Sequence, residues 1–438
     1  MPPPLAMIAD DLSGACDTSV EFLGLTEGVA VVVESDDPGP APLGGGLIVW
    51  NTESRRLAPG EARAKARRAA ARAAVGGARI LFKKTDSAFR GHFGLEIGAV
   101  MDELDIPLCC VAPAIPEAGR VTRHGIQYID GAPIAETFYR RDPLHPVRSS
   151  SALAAAELGS GRRAELIGLE QIRRGQAKAR LEEIAVSGAQ IAVADAEKAE
   201  DLKAVVEAVL ARPGRLLFVG GQGLARALAI CLAAIDANCD KTAADASEES
   251  RRPGRGGSAS GGGDRLPACG IAVFCGTLHP RSRAQLAYAS RRREAPIVEV
   301  RPTGRLDEGA LESQAARAAE ACAVSLERSN LALAATGQAD SGEPQAVETL
   351  MARTAEMLWA RSTLSGLVLT GGSTAYAICR RLGVRRLAMR RRLAATISLA
   401  EAPELRGAAV AVKGGSLGAV DALDRIIEAI RAEAREGG

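Results

Sequence analysis

Short apolar runs alternate with longer amphipathic stretches along almost the whole chain. This alternation is typical of parallel sheets whose strands are joined by crossover helices. Apolar residues recur every three or four positions, with Arg and Glu between them, in predicted helices at 60–75, 198–211, 310–326 and 346–361. The apolar runs predict strands at 5–9, 29–33, 47–51, 80–83, 108–112, 191–194, 216–219, 271–275, 297–300, 331–335, 367–370 and 408–412. The pattern therefore predicts an α/β fold of mostly parallel sheets flanked by helices.

One segment interrupts this rhythm. Residues 240–265 contain almost no large apolar side chain and include the run Gly-Gly-Ser-Ala-Ser-Gly-Gly-Gly. Such a composition cannot bury enough surface to offset the entropy lost on ordering. We therefore predict a flexible linker or loop at 240–265 between two α/β domains, residues 1–239 and 266–438, with a ligand cleft between them.

Length and charge restrict the class of function. The 438 residues are about three times the usual domain size of roughly 100 to 150 residues, which leaves room for two cores. Lys and Arg number 55 against 53 Asp and Glu, and 3% of residues are aromatic, which argues against nucleic acid as a partner. An arginine-rich run at 385–392 could grip a phosphate or nucleic acid, but we interpret it as a solvated helix or loop face.

The N-terminal residues carry no basic segment before the acidic Asp10 and Asp11, and no apolar run reaches the roughly 20 residues that a membrane span needs. We therefore expect a cytoplasmic protein without a membrane partner. Nine cysteines, an odd number with no Cys-x-x-Cys pair, lie in apolar surroundings, which favours buried reduced thiols over disulfides or zinc ligands. The sequence leaves the oligomeric state open, and a homo-oligomer is among the alternatives.

Adjacent carboxylates follow the first predicted strand. Asp10 and Asp11 stand at its carboxyl end, where open α/β sheets bind ligands, and Gly14 suits a close approach of backbone to ligand. Either acid alone could simply cap the next helix. The pair suits binding of sugar hydroxyls, activation of one hydroxyl by a base, or coordination of Mg²⁺.

Two further strand ends are also polar. One ends in Asn51-Thr52-Glu53-Ser54-Arg55, and the other in Lys83-Lys84-Thr85-Asp86-Ser87-Ala88-Phe89-Arg90-Gly91 before a helix predicted at 92–104. The cations could bind a carboxylate while Asp86 and Ser87 contact hydroxyls. A surface salt-bridge cluster is the alternative. The turn at Gly91 favours a ligand, because a helix N-terminus attracts an anion.

Three glycine-bearing turns follow strands in the C-terminal half. They comprise Cys275-Gly276-Thr277, the run Gly371-Gly372-Ser373-Thr374, and Gly414-Gly415 after Lys413. Each alone could be ordinary turn chemistry. Three in one domain, each opening a helix, indicate a phosphate-binding set built from backbone amides and helix dipoles. Neither a P-loop nor a dinucleotide-binding fingerprint occurs at these turns.

These motifs together resemble the four-carbon acid sugar kinase family. The run Ile8-Ala-Asp-Asp-Leu-Ser-Gly-Ala-Cys-Asp-Thr18 is similar to the family's opening motif, and the run from Lys83 to Gly91 is similar to its Lys-Lys-x-Asp-Ser-x-x-Arg-Gly motif. The segments Val111-Ala-Pro-Ala with Gly119-Arg120, Leu369-Thr-Gly-Gly-Ser-Thr-Ala375, and Lys413-Gly-Gly with Gly418 and Asp421 match in the same order. The resemblance covers nearly the whole chain apart from 240–265.

The resemblance implies a sugar-acid-binding N-terminal domain and a C-terminal domain that binds ATP with Mg²⁺. It implies phosphoryl transfer to the C4 hydroxyl of an erythronate, threonate or 3-oxo-tetronate type of acid, and the stereoisomer stays open. The implied substrate contacts are Asp10, Arg55, Lys84, Asp86, Ser87, Arg90 and Gly91. The implied nucleotide contacts are Cys275, Thr277, His279, Gly371, Gly372, Ser373, Thr374, Gly414 and Gly415.

Two assignments remain open at the level of sequence. Asp11 is the first choice for orienting or deprotonating the C4 hydroxyl, with Asp10 as a hydroxyl-binding partner, and the metal ligands stay unknown. The family's Ser-Gly-Ser is Cys275-Gly276-Thr277 here, and a Gly-Val-Pro segment is missing around 402–406. These departures motivate the alternative function, a catalytically weakened cytoplasmic sensor of sugar acid and nucleotide.

Overall fold

The computed structural model describes residues 4–36, 46–142, 145–245, 270–304, 307–337, 344–394, 397–415 and 417–436. The strands are β1 Leu5–Ala9, β2 Val29–Val32, β3 Leu47–Asn51, β4 Ile80–Lys84, β5 Cys109–Ala112, β6 Arg120–Arg123, β7 Ile126–Ile129, β8 Ala132–Pro133, β9 Ala164–Ile167, β10 Ile191–Ala194, β11 Leu216–Gly220, β12 Gly270–Cys275, β13 Ile297–Val300, β14 Leu331–Thr336, β15 Leu364–Thr370, β16 Arg386–Ala394, β17 Ile397–Ala402 and β18 Ala408–Lys413. The helices are α1 Leu12–Ser19, α2 Pro59–Val75, α3 Phe93–Leu104, α4 Ala152–Glu157, α5 Leu169–Arg173, α6 Ala177–Val186, α7 Ala199–Leu210, α8 Gln222–Asp245, α9 Pro280–Arg293, α10 Glu308–Ser329, α11 Pro344–Arg361, α12 Gly372–Arg381 and α13 Ala422–Glu436.

Fifteen strands form one continuous sheet, in the order β13-β14-β12-β15-β18-β17-β16-β2-β3-β1-β4-β11-β5-β10-β9. The N-terminal block from β2 to β9 is parallel throughout. The C-terminal block from β13 to β18 is parallel as well. Every predicted strand and helix is present, and the α/β prediction of mostly parallel sheets flanked by helices is confirmed.

An antiparallel pair that the sequence did not predict joins the two blocks. β17 pairs with β18, β16 with β17, and β16 with β2 across the two halves of the chain. The interpretation of residues 385–392 as a solvated helix or loop face is therefore wrong. Leu387 and Met389 are buried at alternate positions of a strand, while Arg390 and Arg391 pair with Glu401 and Glu433.

The helices form where the sequence places small apolar residues at helical spacing. In α2 the buried alanines are 62, 66, 69, 70 and 73, which lets the helix lie close to the sheet while its arginines face outward. Helix α1 has a different position, since all of its residues are buried. It contacts β1, β3, α8, α12 and β18, and therefore lies between the two blocks.

The predicted linker needs one correction. Helix α8 continues to Asp245, so residues 240–245 are helical, as the strong helix propensity of Ala243 and Ala244 favours. The rest of the predicted linker, 246–265, lies outside the described residues. The seven cysteines whose side chains are described are buried free thiols. Among the described helices, none is long and apolar enough to cross a membrane.

Candidate functional site

A cavity of about 400 Å³ lies between the two halves of the chain, at the carboxyl ends of the parallel strands. Its N-terminal wall includes the predicted residues Asp11, Arg55, Lys84, Asp86, Ser87 and Arg90. Its C-terminal wall includes the predicted residues Thr277, His279, Gly371, Gly372, Ser373, Thr374, Gly414 and Gly415. The structure thus brings the two predicted sets together across one cavity. Three predicted residues, Asp10, Gly91 and Cys275, do not line it.

Arg55 ties the two adjacent acids together. Its Nε and Nη2 donate to the two carboxylate oxygens of Asp10 at 3.0 and 3.1 Å, and Nη2 also donates to Asp11 Oδ1 at 2.7 Å. Asp10 is therefore enclosed behind Arg55, as a partner of the guanidinium. Gly91 has a φ of +83°, and a Cβ there would lie 2.9 Å from Cγ of Arg55. The glycine therefore leaves the space in which Arg55 lies.

Asp11 lies where the two halves of the chain meet. As the N-cap of α1, its carboxylate accepts from the Gly14 N–H at 3.2 Å and from the Ser13 hydroxyl at 2.5 Å. Burial alone would raise the pKa of Asp11, but Arg55 and Lys84 outweigh it and hold the pKa below its usual value. A Cβ on Gly372 would lie 2.6 Å from Asp11 Oδ2. This carboxylate therefore touches the nucleotide-side turn while it is held by the sugar-side residues.

The two lysines at the end of β4 point to opposite faces of the sheet. Lys83 is fully buried, and its ammonium lies 2.7 Å from Oε2 of the equally buried Glu96. Lys84 lines the cavity and donates to the Thr85 carbonyl at 2.9 Å. A Cβ on Gly14 would lie 2.7 Å from the Lys84 ammonium. The missing side chain of Gly14 therefore lets this cation lie against the first turn of α1.

Arg90 is engaged by carboxylates of its own chain. It donates from Nε and Nη2 to both oxygens of Asp86 at 2.9 and 3.0 Å and reaches Asp142 at 3.4 Å. Its guanidinium also lies 5.0 Å from the ring centre of Tyr139. Burial would raise the pKa of Asp86, but Arg90 and Arg55 hold it well below its usual value. Arg90 thus orders the turn that carries Ser87.

Ser87 and Arg120 meet on the same wall. Arg120 is buried, donates to the Ser87 hydroxyl and lies 3.4 Å from the Tyr139 hydroxyl. Arg120 and Tyr139 both line the cavity, together with Phe138, Asp142 and His145, and all five belong to the segment between β5 and α4. Sequence reasoning assigned none of these residues to the site. The Gly119-Arg120 match to the family was the one sequence signal for these residues, because no strand or helix was predicted in this segment.

The three glycine turns pack directly against one another. A Cβ on Gly276 would lie 1.8 Å from Thr374 Oγ1, and one on Gly415 would lie 2.8 Å from Thr277 Oγ1. Gly371 has a φ of +102°, which side-chain-bearing residues rarely adopt. The turns therefore form a single cradle of bare backbone, with the N-terminus of α12 facing the cavity. Such a cradle suits phosphate groups.

Two neighbours shape this cradle. Lys413 is buried at the end of β18 and donates to the carbonyls of Gly414 and Leu417 at 2.8 and 3.0 Å. Burial, with Arg281 adding to it, lowers the pKa of Lys413 to about 8, although Cys275 acts in the opposite direction. The thiol of Cys275 is buried in the core, so Gly276 and Thr277 are the residues of that turn that reach the cavity.

His279 caps helix α9 at the mouth of the cavity. Its Nδ1 accepts from the Arg281 N–H at 3.2 Å. Burial and the nearby cations Arg281 and Lys413 lower the pKa of His279. Its ring meets Phe138 of the N-terminal half edge-on at 5.3 Å. The imidazole therefore touches both walls and favours the neutral form.

Two more carboxyl groups line the cavity. Glu53 has a left-handed backbone with a φ of 42°, and its Oε2 accepts from the Leu12 N–H at 3.2 Å and from Asn51 Nδ2 at 3.3 Å. Burial and the neighbouring Asp11 raise the pKa of Glu53 to about 8. Asp17 lies further along α1, and burial raises its pKa to about 7 although Lys84 opposes this. The described residues hold no cluster of three or more His, Cys, Asp or Glu side chains that could bind a metal.

Two family models match the chain. A sugar-binding N-terminal domain matches residues 5–228, and a nucleotide-binding C-terminal domain matches residues 272–423. The first contains the wall with the acids and lysines. The second contains the three glycine turns. The family models thus divide the cavity in the same place as the structure does.

Named relatives extend over the same length. The chain is 30% identical over 427 residues to a D-threonate kinase of Cupriavidus necator, covering 95% of each chain. It is 28% identical over 462 residues to a 3-oxo-tetronate kinase of Methylobacterium radiotolerans, covering 97% of this chain and 98% of the relative. A crystal structure of a Salmonella typhimurium LT2 protein shares the fold, with a TM-score of 0.75, 22% identity, and 96% and 98% coverage. The chain belongs to the four-carbon acid sugar kinase family.

Proposed function

We propose that this kinase transfers the γ-phosphoryl group of ATP to the C4 hydroxyl of a four-carbon sugar acid. The observation that carries the proposal is the cavity itself, in which a cation-rich polar wall faces a cradle of bare glycine turns. Relatives named as D-threonate, 3-oxo-tetronate and D-erythronate kinases support this class of acid. They also favour an enzyme over the sensor alternative.

The acid would bind on the N-terminal wall. Lys84 lines this wall and has no carboxylate at hydrogen-bond distance among the described residues; its ammonium donates to the Thr85 carbonyl. Arg90 is already paired with Asp86, so its task in this proposal is to order the turn. Lys84 would therefore contact the substrate carboxylate, and Asp86 and Ser87 would contact hydroxyls.

ATP would bind on the C-terminal wall. The glycines at 276, 371 and 415 let the three turns pack into one cradle of bare backbone, which suits phosphate groups. Asp11 touches both walls and would be the carboxylate to hold Mg²⁺, which takes one or two carboxylates together with phosphate oxygens. Bound in this way, the metal would neutralise charge on the transferred group. Use of ATP and buried thiols suit the cytoplasm as the place of action.

ADP release in the presence of single four-carbon acids tests the proposal. D-threonate, D-erythronate and 3-oxo-tetronate are compared with the matching 4-deoxy acids, which lack the acceptor hydroxyl. At least one hydroxylated acid should give ADP and a product whose phosphorus couples to C4 in an NMR spectrum, and its 4-deoxy counterpart should give neither. The Lys84→Met variant should raise KM for the acid by about tenfold or more, because it removes a charge-assisted bond of roughly 1.5 to 3 kcal/mol. The Arg67→Ala variant, which removes an exposed cation of α2 that does not line the cavity, is the matched control.

A further inference from the structure

The carboxyl groups that line the cavity differ in what already binds them. Asp11 accepts from Arg55, Ser13 and the Gly14 N–H, and Asp86 is held by the guanidinium of Arg90. Each of these groups is fixed as a charged acceptor. A general base needs an oxygen that can reach the substrate and take up a proton. Asp11, the first choice from sequence, and Asp86 do not fit that need.

Asp17 has a different environment. Its Oδ1 accepts from the Thr18 hydroxyl at 2.8 Å, and within the described part of the chain no hydrogen bond to its Oδ2 is found. The residue lies on the same face of α1 as Ser13 and Gly14, four and three positions earlier, and all three line the cavity. Asp17 is nevertheless 8% exposed as a whole residue. One oxygen of a nearly buried carboxyl is thus left for a ligand in the cavity.

We infer that Asp17 is the general base of the phosphoryl transfer, an assignment that rests on the proposed function. The C4 oxygen attacks the γ-phosphorus, the bond from that phosphorus to the bridging oxygen breaks, and ADP leaves with the electron pair of that bond. The hydroxyl proton passes to Oδ2 of Asp17 and afterwards to water. Asp11 keeps its proposed role as the carboxylate that would hold Mg²⁺ where the two walls meet.

The charged groups around Asp17 suit this role. Burial is the main influence and raises its pKa to about 7, while Lys84 of β4 and Arg120 of β6 lower it and Asp11 at the start of α1 raises it. A base that titrates near the working pH is present in its reactive form and still holds the proton once transferred. The carboxyl of Glu53 differs, because its Oε2 binds the first turn of α1 and its pKa of about 8 leaves it mostly protonated at neutral pH.

The test is the pH profile of kcat/KM for the acid that the wild-type enzyme uses best. In the wild type, kcat/KM should rise with pH through an apparent pKa near 7, as Asp17 loses its proton. This rise is the acidic limb of the profile. In Asp17→Asn, kcat at pH 7 should fall by about a hundredfold to ten-thousandfold, the limb should disappear, and KM for ATP should stay within about twofold. Thr18→Val removes a bond to the carboxylate and should move the limb to higher pH.

Two variants make the result decisive. Asp102→Asn changes an acid on the outer face of α3, paired with Arg63 and Arg162, and should keep the wild-type profile. Glu53→Gln should keep the limb near pH 7. If the wild type is active and the kcat of Asp17→Asn at pH 7 stays within threefold of it, the assignment alone is overturned. The same holds if the limb disappears in Glu53→Gln but not in Asp17→Asn. A wild type that releases no ADP with any four-carbon acid overturns the proposed function, and the assignment with it.

Discussion

A methyl group on Gly276 is the most selective way to block the proposed nucleotide cradle. The new Cβ would lie 1.8 Å from Oγ1, 2.7 Å from Cβ and 2.8 Å from Cγ2 of Thr374, whereas ordinary contact begins at 3.4 Å. Thr374 belongs to the first turn of α12, so that turn must move by roughly 1 Å or more. A displacement of about 1 Å at a reacting centre costs on the order of a hundredfold in rate. We therefore expect Gly276→Ala to lower kcat/KM for ATP about a hundredfold.

Steady-state kinetics and calorimetry of the separate ligands check this expectation. The acid should still bind, because Gly276 does not touch the N-terminal wall. Gly415→Ala places its Cβ 2.8 Å from Thr277 Oγ1 and should have a smaller effect. Gly309→Ala, where the nearest atom outside the helix backbone is 3.8 Å away, is the control and should act like the wild type. A folded Gly276→Ala protein whose ATP kinetics match those of Gly309→Ala would refute the cradle.

Two further predictions concern ion pairs of the N-terminal half. Arg90→Ala should lower Tm most at neutral pH. The pKa of Asp86 is lower in the folded than in the unfolded chain, so its ionised form stabilises the fold above the unfolded pKa near 3.9. This contribution disappears as the pH falls through the folded pKa. A loss of Tm in Arg90→Ala that does not depend on pH would show that Arg90 acts through packing alone. Lys83→Met leaves a buried carboxylate unpaired and should destabilise the fold by about 3 to 5 kcal/mol. Lys83→Met/Glu96→Gln should recover most of the lost Tm, and a double variant as unstable as the single one would contradict the charge argument.

Most of the fold could be predicted from the sequence because strands and helices carry local patterns of apolar and polar residues. The buried run of β1 and the alanine spacing of α2 predict their elements directly. The arginine-rich β16 was misread because its buried Leu387 and Met389 are hidden among arginines that find acidic partners only after folding. Pairing of β16 with β2 joins distant segments, which no local pattern reveals.

The candidate site was readable in part for a related reason. Residues at strand ends, such as Asp11 and Lys84, could be placed because parallel strands bring their carboxyl ends to one edge. Whether a neighbour occupies a side chain is a tertiary property. The pairing of Arg90 with Asp86 and the open oxygen of Asp17 both depend on contacts that appear only in the folded chain. Arg120 lies in the segment between β5 and α4, where no strand or helix was predicted, so the sequence identified its motif but not its contacts.

ADP release by the wild-type protein with ATP and a single four-carbon sugar acid tests the proposed kinase activity most directly. We expect turnover that needs both substrates, a phosphate on C4 of the product, and no turnover with the 4-deoxy acid. ATP hydrolysis at the same rate with and without every four-carbon acid, or a product phosphorylated at another oxygen, would contradict it.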